Sequence, residues 1–225
     1  MLTTPHEAEG ETIGENAYRR LRTDIIFGRA KPGQKLRLDR LKDSYGASIS
    51  TLRELLNRLA SEGLVMAEGQ RGFEVSPVSV DNLREIADLR LLLETHALKQ
   101  SFAAGDMEWE GRVVAAHHKL ASMERLMEKG ERAQTENWKR YDWEFHQALI
   151  SACGSAVLME THAGIFDKYL RYQMIALSFR GEVAAREHQQ LRDCALERDA
   201  DAAARILAEH VKGGVDHALA TGTIT

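Results

Sequence analysis

Residues 48–75 read SISTLRELLNRLASEGLVMAEGQRGFEV, and this stretch decides the fold of the first part of the chain. Its leucines recur three and four residues apart, which predicts a helix with one apolar face. The runs LVM and FEV follow on either side of a glycine-rich tip, and this order predicts a β-hairpin. We expect Ser50 or Thr51 to cap the helix, because Thr51 and Glu54 have the spacing of a capping box.

Two more helices are predicted upstream, over residues 13–27 and 38–45, with a turn at Lys31-Pro32-Gly33 between them. Three helices followed by a hairpin are the order of a winged helix-turn-helix. In that module the third helix presents its first turn to the major groove, and the hairpin tip reaches the minor groove or the backbone.

The charge distribution agrees with a polyanionic partner for this module. Residues 13–78 hold 12 Lys and Arg against 8 Asp and Glu, a net charge of +4, whereas the whole chain carries −4. A basic first part on an acidic body indicates nucleic-acid binding. A small helical domain whose basic residues are merely solvated is the alternative.

The candidate DNA contacts are of three kinds. Small hydroxyl side chains stand at the start of the third helix, where free backbone N–H groups also face phosphate. Arg53 can donate two hydrogen bonds to a guanine edge, and other basic side chains can hold phosphates. The full set is Ser48, Ser50, Thr51, Arg53, Arg58, Arg71 and Gly72.

Beyond Pro77 the pattern is helical throughout. Six helices are predicted, over residues 81–104, 108–129, 135–152, 157–179, 182–198 and 200–219. The predicted fold class is therefore mainly α. A flexible tail (1–12) precedes the winged helix-turn-helix with its small β-hairpin wing (13–78), and an all-α helical bundle (79–225) follows.

Composition excludes several other classes. Aromatic residues make up 6% of the 225 residues and Pro numbers 3, which disfavours a β-sandwich or barrel. No apolar run approaches the roughly 18 residues that span a bilayer. The start of the chain has no signal-peptide pattern, and two cysteines give no disulfide framework. We expect a cytoplasmic protein with no membrane partner.

Four residues of the bundle have the spacing of a metal site. Asp142 and His146 are one helical turn apart, so carboxylate and imidazole share a face. His188 and His210 stand 11 residues before and after Asp199, where two helices meet, so both can face one point. Three imidazoles and a carboxylate suit Zn, Ni, Mn or Fe. A buried polar network or a surface Asp–His pair remains the alternative. The other histidines are expected to be ordinary solvated or hydrogen-bonded side chains: His6, His96, His117, His118, His162 and His217.

Arg90 interrupts an apolar helix face and needs an anion, since an unpaired buried guanidinium costs several kcal/mol. Glu94, one turn along, or a carboxylate on another helix is one possible partner. The carboxylate of a bound effector is the other, because a guanidinium binds carboxylates in bidentate fashion.

The first module resembles a known family. Residues 26–36 (IFGRAKPGQKL), 50–54 (STLRE) and 59–65 (LASEGLV) resemble the DNA-binding domain of the GntR family of bacterial transcription regulators, with matching spacing over residues 13–78. Two positions depart from the family pattern. Ile49 stands where the family often has Arg, and Thr51 stands where Pro is common, so the bases that are read are expected to differ.

The second part resembles the FadR-type effector domain (FCD-like) of the same family, which implies that residues 79–225 form the effector-binding and dimerisation domain. The resemblance covers residues 80–220 and rests on residues 88–94 (DLRLLLE), 142–146 (DWEFH), 187–188 (EH) and 209–210 (EH). It implies that a divalent metal, zinc first, binds Asp142, His146, His188 and His210 and coordinates a carboxylate effector. It also favours that effector as the partner of Arg90. Residues 105–110 and 152–155 further resemble carbon-starvation-induced regulators.

The sequence thus predicts a homodimeric, ligand-responsive DNA-binding regulator. We expect a repressor of a catabolic operon that binds a double-stranded operator and is controlled by a small organic acid. A metal-dependent hydrolase-like enzyme that uses the Asp/His3 site is the second hypothesis, since a metal with open positions can activate water. No His-Glu-x-x-His pattern supports it, and Glu144 and Glu187 are expected on other helix faces. A structural helical adaptor is the third.

Overall fold

A computed structural model describes residues 11–67, 69, 72–177 and 179–224. Within these residues it is mainly helical, with one short two-stranded antiparallel sheet, as predicted. A 3-10 turn at Arg132–Gln134 precedes the sixth helix. The elements are α1 Ile13–Ile26, α2 Leu38–Tyr45, α3 Ile49–Ser61, β1 Val65–Ala67, β2 Phe73–Val75, α4 Val80–Ala104, α5 Met107–Glu128, α6 Thr135–Ile150, α7 Ala156–Ile175, α8 Glu182–Glu197 and α9 Ala200–Ala220.

Helices α1 to α3 and the hairpin form a winged helix-turn-helix, here called the DNA-binding module. The leucines of α3 are buried against α1 and α2, as their spacing predicts. Val65 pairs with Val75 in the hairpin. A third segment, not predicted, runs along the other edge of β2, where the Leu36 N–H donates to the Phe73 carbonyl at 2.8 Å.

The cap of α3 differs from the prediction. Ser48, with an extended backbone, is the N-cap, and its Oγ accepts a hydrogen bond from the Thr51 N–H at 3.2 Å. The expected caps, Ser50 and Thr51, already lie inside the helix, so the predicted capping box of Thr51 and Glu54 is wrong. A capping box does occur at α1, between Thr12 and Glu15. Residues 1–10 of the predicted tail lie outside the described residues.

Six helices, α4 to α9, form the bundle. The turn between α8 and α9 falls where predicted, because Arg198 adopts a left-handed conformation and the Asp199 side chain caps α9 by accepting from the Ala202 N–H at 2.8 Å. These local features set α8 and α9 side by side.

Helix α7 ends earlier than expected. The pattern extended it to residue 179, but it ends at Ile175, and Leu177 has a positive φ of 47°. The chain leaves the helix here and Phe179 packs edge-on against Trp138 of α6, with ring centres 5.0 Å apart. Tertiary packing thus overrides the helical pattern at this end.

Helix α7 belongs to both hydrophobic cores. Phe166, Leu170 and Met174 pack in the core of the DNA-binding module, whereas Tyr169 and Tyr172 pack in the core of the bundle. An ion pair between Arg22 of α1 and Asp167, with N and O 2.7 Å apart, joins the same parts. Among the described helices, none is long and apolar enough to cross a membrane.

Candidate metal centre and DNA-binding surface

The four predicted metal ligands come together inside the bundle. Asp142 and His146 lie one turn apart on α6, His188 lies on α8 and His210 on α9. One ligand atom from each lies within 4.8 Å of all the others, and all four residues are buried. The rings of His188 and His210 are 4.7 Å apart between centres, as expected for positions equally far from the turn at Asp199.

Two atoms of this cluster lack hydrogen-bond partners. Oδ1 of Asp142 and Nε2 of His188 are buried and 3.3 Å apart, and neither makes a hydrogen bond to a described residue. A buried polar atom without a partner costs about 1–3 kcal/mol. A cation bound by both atoms would remove that cost, so the donor set fits a divalent metal.

Each imidazole of the cluster turns its Nδ1 towards a glutamate. Such an acceptor fixes the tautomer with hydrogen on Nδ1 and leaves Nε2 free as a ligand, as in many metal sites. The pairs are His146 with Glu94 of α4, His188 with Glu124 of α5 at 2.6 Å, and His210 with Glu187 of α8 at 2.7 Å. Three helices thus supply the carboxylates that orient the three rings.

Burial and charge set the protonation of the cluster. Burial lowers the pKa of His146 and His210, which favours the neutral imidazole that binds metals. Burial alone would also lower the pKa of His188, but the negative charges of Asp142 and Glu124 outweigh it and raise that pKa to about 9. Burial would raise the pKa of Asp142, yet the nearby cation of Lys139 and the imidazoles hold it well below its usual value.

Lys139 and Arg180 place positive charge beside the cluster. Nζ of Lys139 donates to Oδ2 of Asp142 at 3.2 Å and to Gln173 at 2.5 Å, so Oδ1 of Asp142 is the oxygen left for a metal. Lys139, Arg180 and Gln173 line a cavity of about 20 Å³ against the ligands. That volume holds one water-sized group.

Arg90 is paired with Glu94, one of the two partners that the sequence left open. Its Nε donates to Glu94 at 2.9 Å, and its guanidinium lies over the rings of Phe166 and Tyr169. One terminal nitrogen also lies 3.3 Å from Nε2 of His146. Arg90 is therefore a neighbour of the metal cluster even with its internal partner in place.

Several residues around the site escaped the sequence analysis. Glu187 was expected on another helix face, which is wrong, because it contacts His210 and Arg180. Glu144 does face away, towards Lys119 on the surface. Glu94 was expected as a partner of Arg90 but not of His146, and Glu124 was not singled out. Both lie on helices remote in sequence from the metal ligands, so spacing carried no signal for their contacts with the imidazoles. His162 was expected to be an ordinary hydrogen-bonded or solvated side chain, and it is a buried, hydrogen-bonded ring whose Nε2 is 3.1 Å from Glu94.

Hydroxyl groups cluster at the exposed start of α3. Oγ of Ser48 lies 2.8 Å from Oγ of Ser50 and 2.9 Å from Oγ1 of Thr51. Arg53 is exposed one turn further along and makes no ion pair with any described residue. These four residues place an exposed guanidinium and three clustered hydroxyls together at one end of the helix.

The remaining predicted DNA contacts are less uniform. The guanidinium of Arg58 lies 3.9 Å from the ring centre of Tyr18 and its Nε lies 3.8 Å from Glu62, so part of its charge is compensated within the module. Gly72 lies at the base of the wing tip with φ of 98°, a conformation that favours glycine. Arg71 lies outside the described residues.

Comparison with known families identifies both parts. Residues 13–75 match the model of the bacterial regulatory proteins of the gntR family, and residues 85–213 match the FCD domain. The chain belongs to the GntR family. The resemblance to the GntR family, with an FCD domain in the second part of the chain, is thus confirmed.

Relatives extend over nearly the whole of this GntR-family chain. It is 36% identical to the HTH-type transcriptional regulator BphR of Paraburkholderia xenovorans, over 92% of this chain and 86% of the relative. It is 32% identical to the HTH-type transcriptional repressor GlaR of Escherichia coli, over 87% of this chain and 91% of the relative. The solved structure of E. coli McbR/YncC shares the fold, with a TM-score of 0.77 at 21% identity, over 93% of this chain and 98% of that structure.

The family decides between the functional classes considered from the sequence. Its members and the relatives found are DNA-binding transcriptional regulators. This GntR-family protein is therefore a transcriptional regulator and not a hydrolase, and a purely structural adaptor is excluded as well.

Proposed function

We propose that this regulator is a repressor whose operator binding is controlled by a small organic acid at a divalent metal in the FCD domain. The observation that carries the proposal is the cluster of Asp142, His146, His188 and His210, with two unsatisfied atoms facing each other. The 32% identity to a protein named a repressor supports repression rather than activation.

The donor set favours a transition metal over calcium or magnesium. Three imidazole nitrogens and one carboxylate oxygen suit zinc first, with Ni, Mn or Fe as alternatives, whereas calcium and magnesium prefer oxygen ligands. When bound, such a metal supplies a Lewis-acidic centre that attracts a carboxylate. The three glutamates at the Nδ1 atoms fit this role, because they orient the rings that would hold the ion.

Charge beside the cluster suits an anionic effector. Arg90 lies next to His146, and Lys139 and Arg180 line the other side. The cavity there is about 20 Å³, far too small for an organic acid, so binding must move at least one of the side chains that line it. A ligand that must move a side chain to enter has different affinities for two conformations, which is the requirement for a switch.

A packed route leads from this cluster to the DNA-binding module. Phe166 contacts the Arg90 guanidinium, with 4.3 Å to the ring centre, and its ring lies 5.5 Å from that of His146. The same side chain is buried in the core of the DNA-binding module. Movement of Arg90 or His146 on effector binding would therefore shift Phe166, and with it the core of the DNA-binding module.

Operator binding requires two copies in this proposal. The free Arg53 and the hydroxyls at the start of α3 would read bases in the major groove, with the wing near Gly72 on the adjacent backbone. A homodimer would place two modules on half-sites of a pseudo-palindrome. Exposed apolar side chains on the bundle, such as Leu92 and Val157, offer surface for pairing. Since organic acids are substrates of catabolism, catabolic genes are the proposed targets.

The test begins with genomic DNA fragments selected on immobilised, metal-loaded protein. Fluorescence anisotropy then measures operator affinity against a panel of short mono- and dicarboxylates, with and without chelator. We expect one acid to weaken operator binding at least about tenfold in the metal-loaded protein only, and Arg90→Lys to reduce that effect. If no fragment is enriched, DNA recognition is refuted. If operator binds but no acid changes it, the control mechanism is refuted.

A further inference from the structure

A second anion-binding feature lies where the DNA-binding module meets the bundle. A groove of about 370 Å³ opens there, between the chain around Gly63 and Pro77 on one side and helices α4 and α7 on the other. Its volume falls within the range of small-molecule sites. It is distinct from the 20 Å³ cavity at the metal cluster, which has no lining residue in common with it.

Arg171 supplies a buried guanidinium without a counter-ion. It is 4% exposed, and no described carboxylate pairs with it. Nη2 donates to the Ser76 carbonyl, but Nε is buried and makes no hydrogen bond to a described residue. Burial without a compensating carboxylate lowers the pKa of Arg171. Most buried arginines in proteins pair with an anion. An anion bound in this groove would compensate the charge of Arg171.

Lys168 adds a second cation one turn away on α7. It makes no ion pair or hydrogen bond with any residue that the structure describes. Its Nζ lies 3.3 Å from the position that a Cβ would take at Gly63, so the ammonium extends across the gap between the two parts. Glu85 is the one carboxylate in the lining, and it contacts Asn82 rather than either cation. The lining therefore has a net charge of +1.

Apolar side chains form the rest of the wall. Leu64 belongs to the DNA-binding module, whereas Ile86, Leu89 and Ile165 belong to the bundle. A ligand with one negative charge and an apolar body would complement both the charge and this surface. A dianion would leave one charge without a partner.

We propose that this groove binds a small organic monocarboxylate with an aromatic or branched apolar body, its carboxylate held by Arg171 and Lys168. Because the groove is walled by both parts of the chain, the ligand contacts the module and the bundle together. The Arg171 contact with Ser76 also connects the site to the linker that joins them. The site is independent of the metal cluster and of the effector assigned there.

Isothermal titration of the full-length protein with phenylacetate and 3-phenylpropionate tests this site, with their neutral amides as matched ligands. We expect saturable binding of at least one acid at concentrations up to about 10 mM, and none of its amide. Lys168→Gln and Arg171→Gln should each weaken binding about tenfold or more. Lys212→Gln, an exposed lysine remote in the fold, is the control and should bind as wild type does.

A metal-site variant separates this proposal from the preceding one. His188→Ala, with chelator present, should still bind the acid through the groove. The proposal is overturned if neither acid binds, if the amide binds equally well, or if Lys168→Gln leaves affinity unchanged. It is also overturned if His188→Ala abolishes binding, since the acid would then occupy the metal cluster. Should Arg171→Gln fail to fold, Lys168→Gln alone decides the outcome.

Discussion

The guanidinium of Arg90 lies 4.3 Å from the ring centre of Phe166, and this contact joins the metal cluster to the core of the DNA-binding module. Arg90 is held on its other side by Glu94, which also accepts from His146. One buried side chain of α7 thus touches the charged centre of the bundle while filling space in a different core. Such a shared residue is a short physical route for coupling between two sites.

Phe166→Leu should weaken that coupling without removing the sites that it connects. Leucine keeps an apolar side chain but loses the ring that faces Arg90, so we expect a stability loss of about 1–2 kcal/mol. Metal content and operator affinity without effector should stay near wild type. The change in operator affinity caused by the effector should shrink severalfold. Leu170→Met, in the same core without a ring contact to Arg90, is the control. An unchanged response in Phe166→Leu would rule out this route.

Arg53→Ala should weaken specific operator binding by about 1–3 kcal/mol, because the exposed guanidinium at the start of α3 is the side chain best placed for a base edge. Anisotropy titration with operator and with scrambled duplex separates specific from general binding. Lys212→Ala, which removes a distant surface charge, should bind like wild type. If Arg53→Ala binds the operator with the affinity of wild type, α3 is not oriented on DNA as proposed.

The glutamates behind the imidazoles should control metal affinity. Glu124→Ala and Glu187→Ala each remove the acceptor of an Nδ1–H, so we expect metal to bind about 10–100-fold more weakly. Competition with a chromophoric chelator measures this. Glu144→Ala is the matched control, because its carboxylate pairs with Lys119 on the surface. Equal affinity in all three variants would show that the second layer of carboxylates does not support the site.

Local sequence signals predicted part of this cluster and not the rest. Asp142 and His146 lie within one helix, so their spacing in the sequence predicts that they share a face. His188 and His210 lie on two helices joined by a short turn, so their equal distances from that turn predict that they lie level with each other. Glu94 and Glu124 reach the site only because α4 and α5 pack against it, and no periodicity encodes that.

The same distinction applies to the fold. Helix order and the wing follow from turn residues and apolar spacing. The insertion of Phe166 into the core of the DNA-binding module does not follow from these signals. The apolar pattern of α7 does not indicate which of the two cores a given side chain fills. At α3, Ser50 and Thr51 were the predicted caps, whereas Ser48, which also carries a hydroxyl, is the residue that caps the helix. Only the extended backbone at Ser48 distinguishes the cap that is used.

His117 should make stability depend on pH. Burial, with a smaller contribution from Arg192, lowers its pKa from 6.5 to about 4. Below pH 6.5 the unfolded chain binds a proton at this residue while the folded chain does not, so its contribution is present above pH 6.5 and is lost as the pH falls towards 4. We expect His117 to lower the free energy of unfolding by about 1–2 kcal/mol when the pH falls from 7 to 5.

Urea denaturation at several pH values measures this contribution. His117→Gln should lose less stability on acidification than wild type, whereas His118→Gln, at an exposed position next to it, should follow the wild-type curve. If the free energy of unfolding fell equally with pH in His117→Gln and in wild type, His117 would not be the source of this pH dependence.

Metal content per chain tests the central claim most directly. Elemental analysis of protein purified without chelator, and again after metal titration and desalting, should find one divalent transition-metal ion per chain in wild type. Asp142→Ala, His146→Ala, His188→Ala and His210→Ala should each lose most of it. His96→Ala and His118→Ala are the controls, because both histidines are exposed, whereas His162 touches Glu94 and is unsuitable. Wild type that retains no metal even after titration, or ligand variants that retain as much as wild type, would contradict the account.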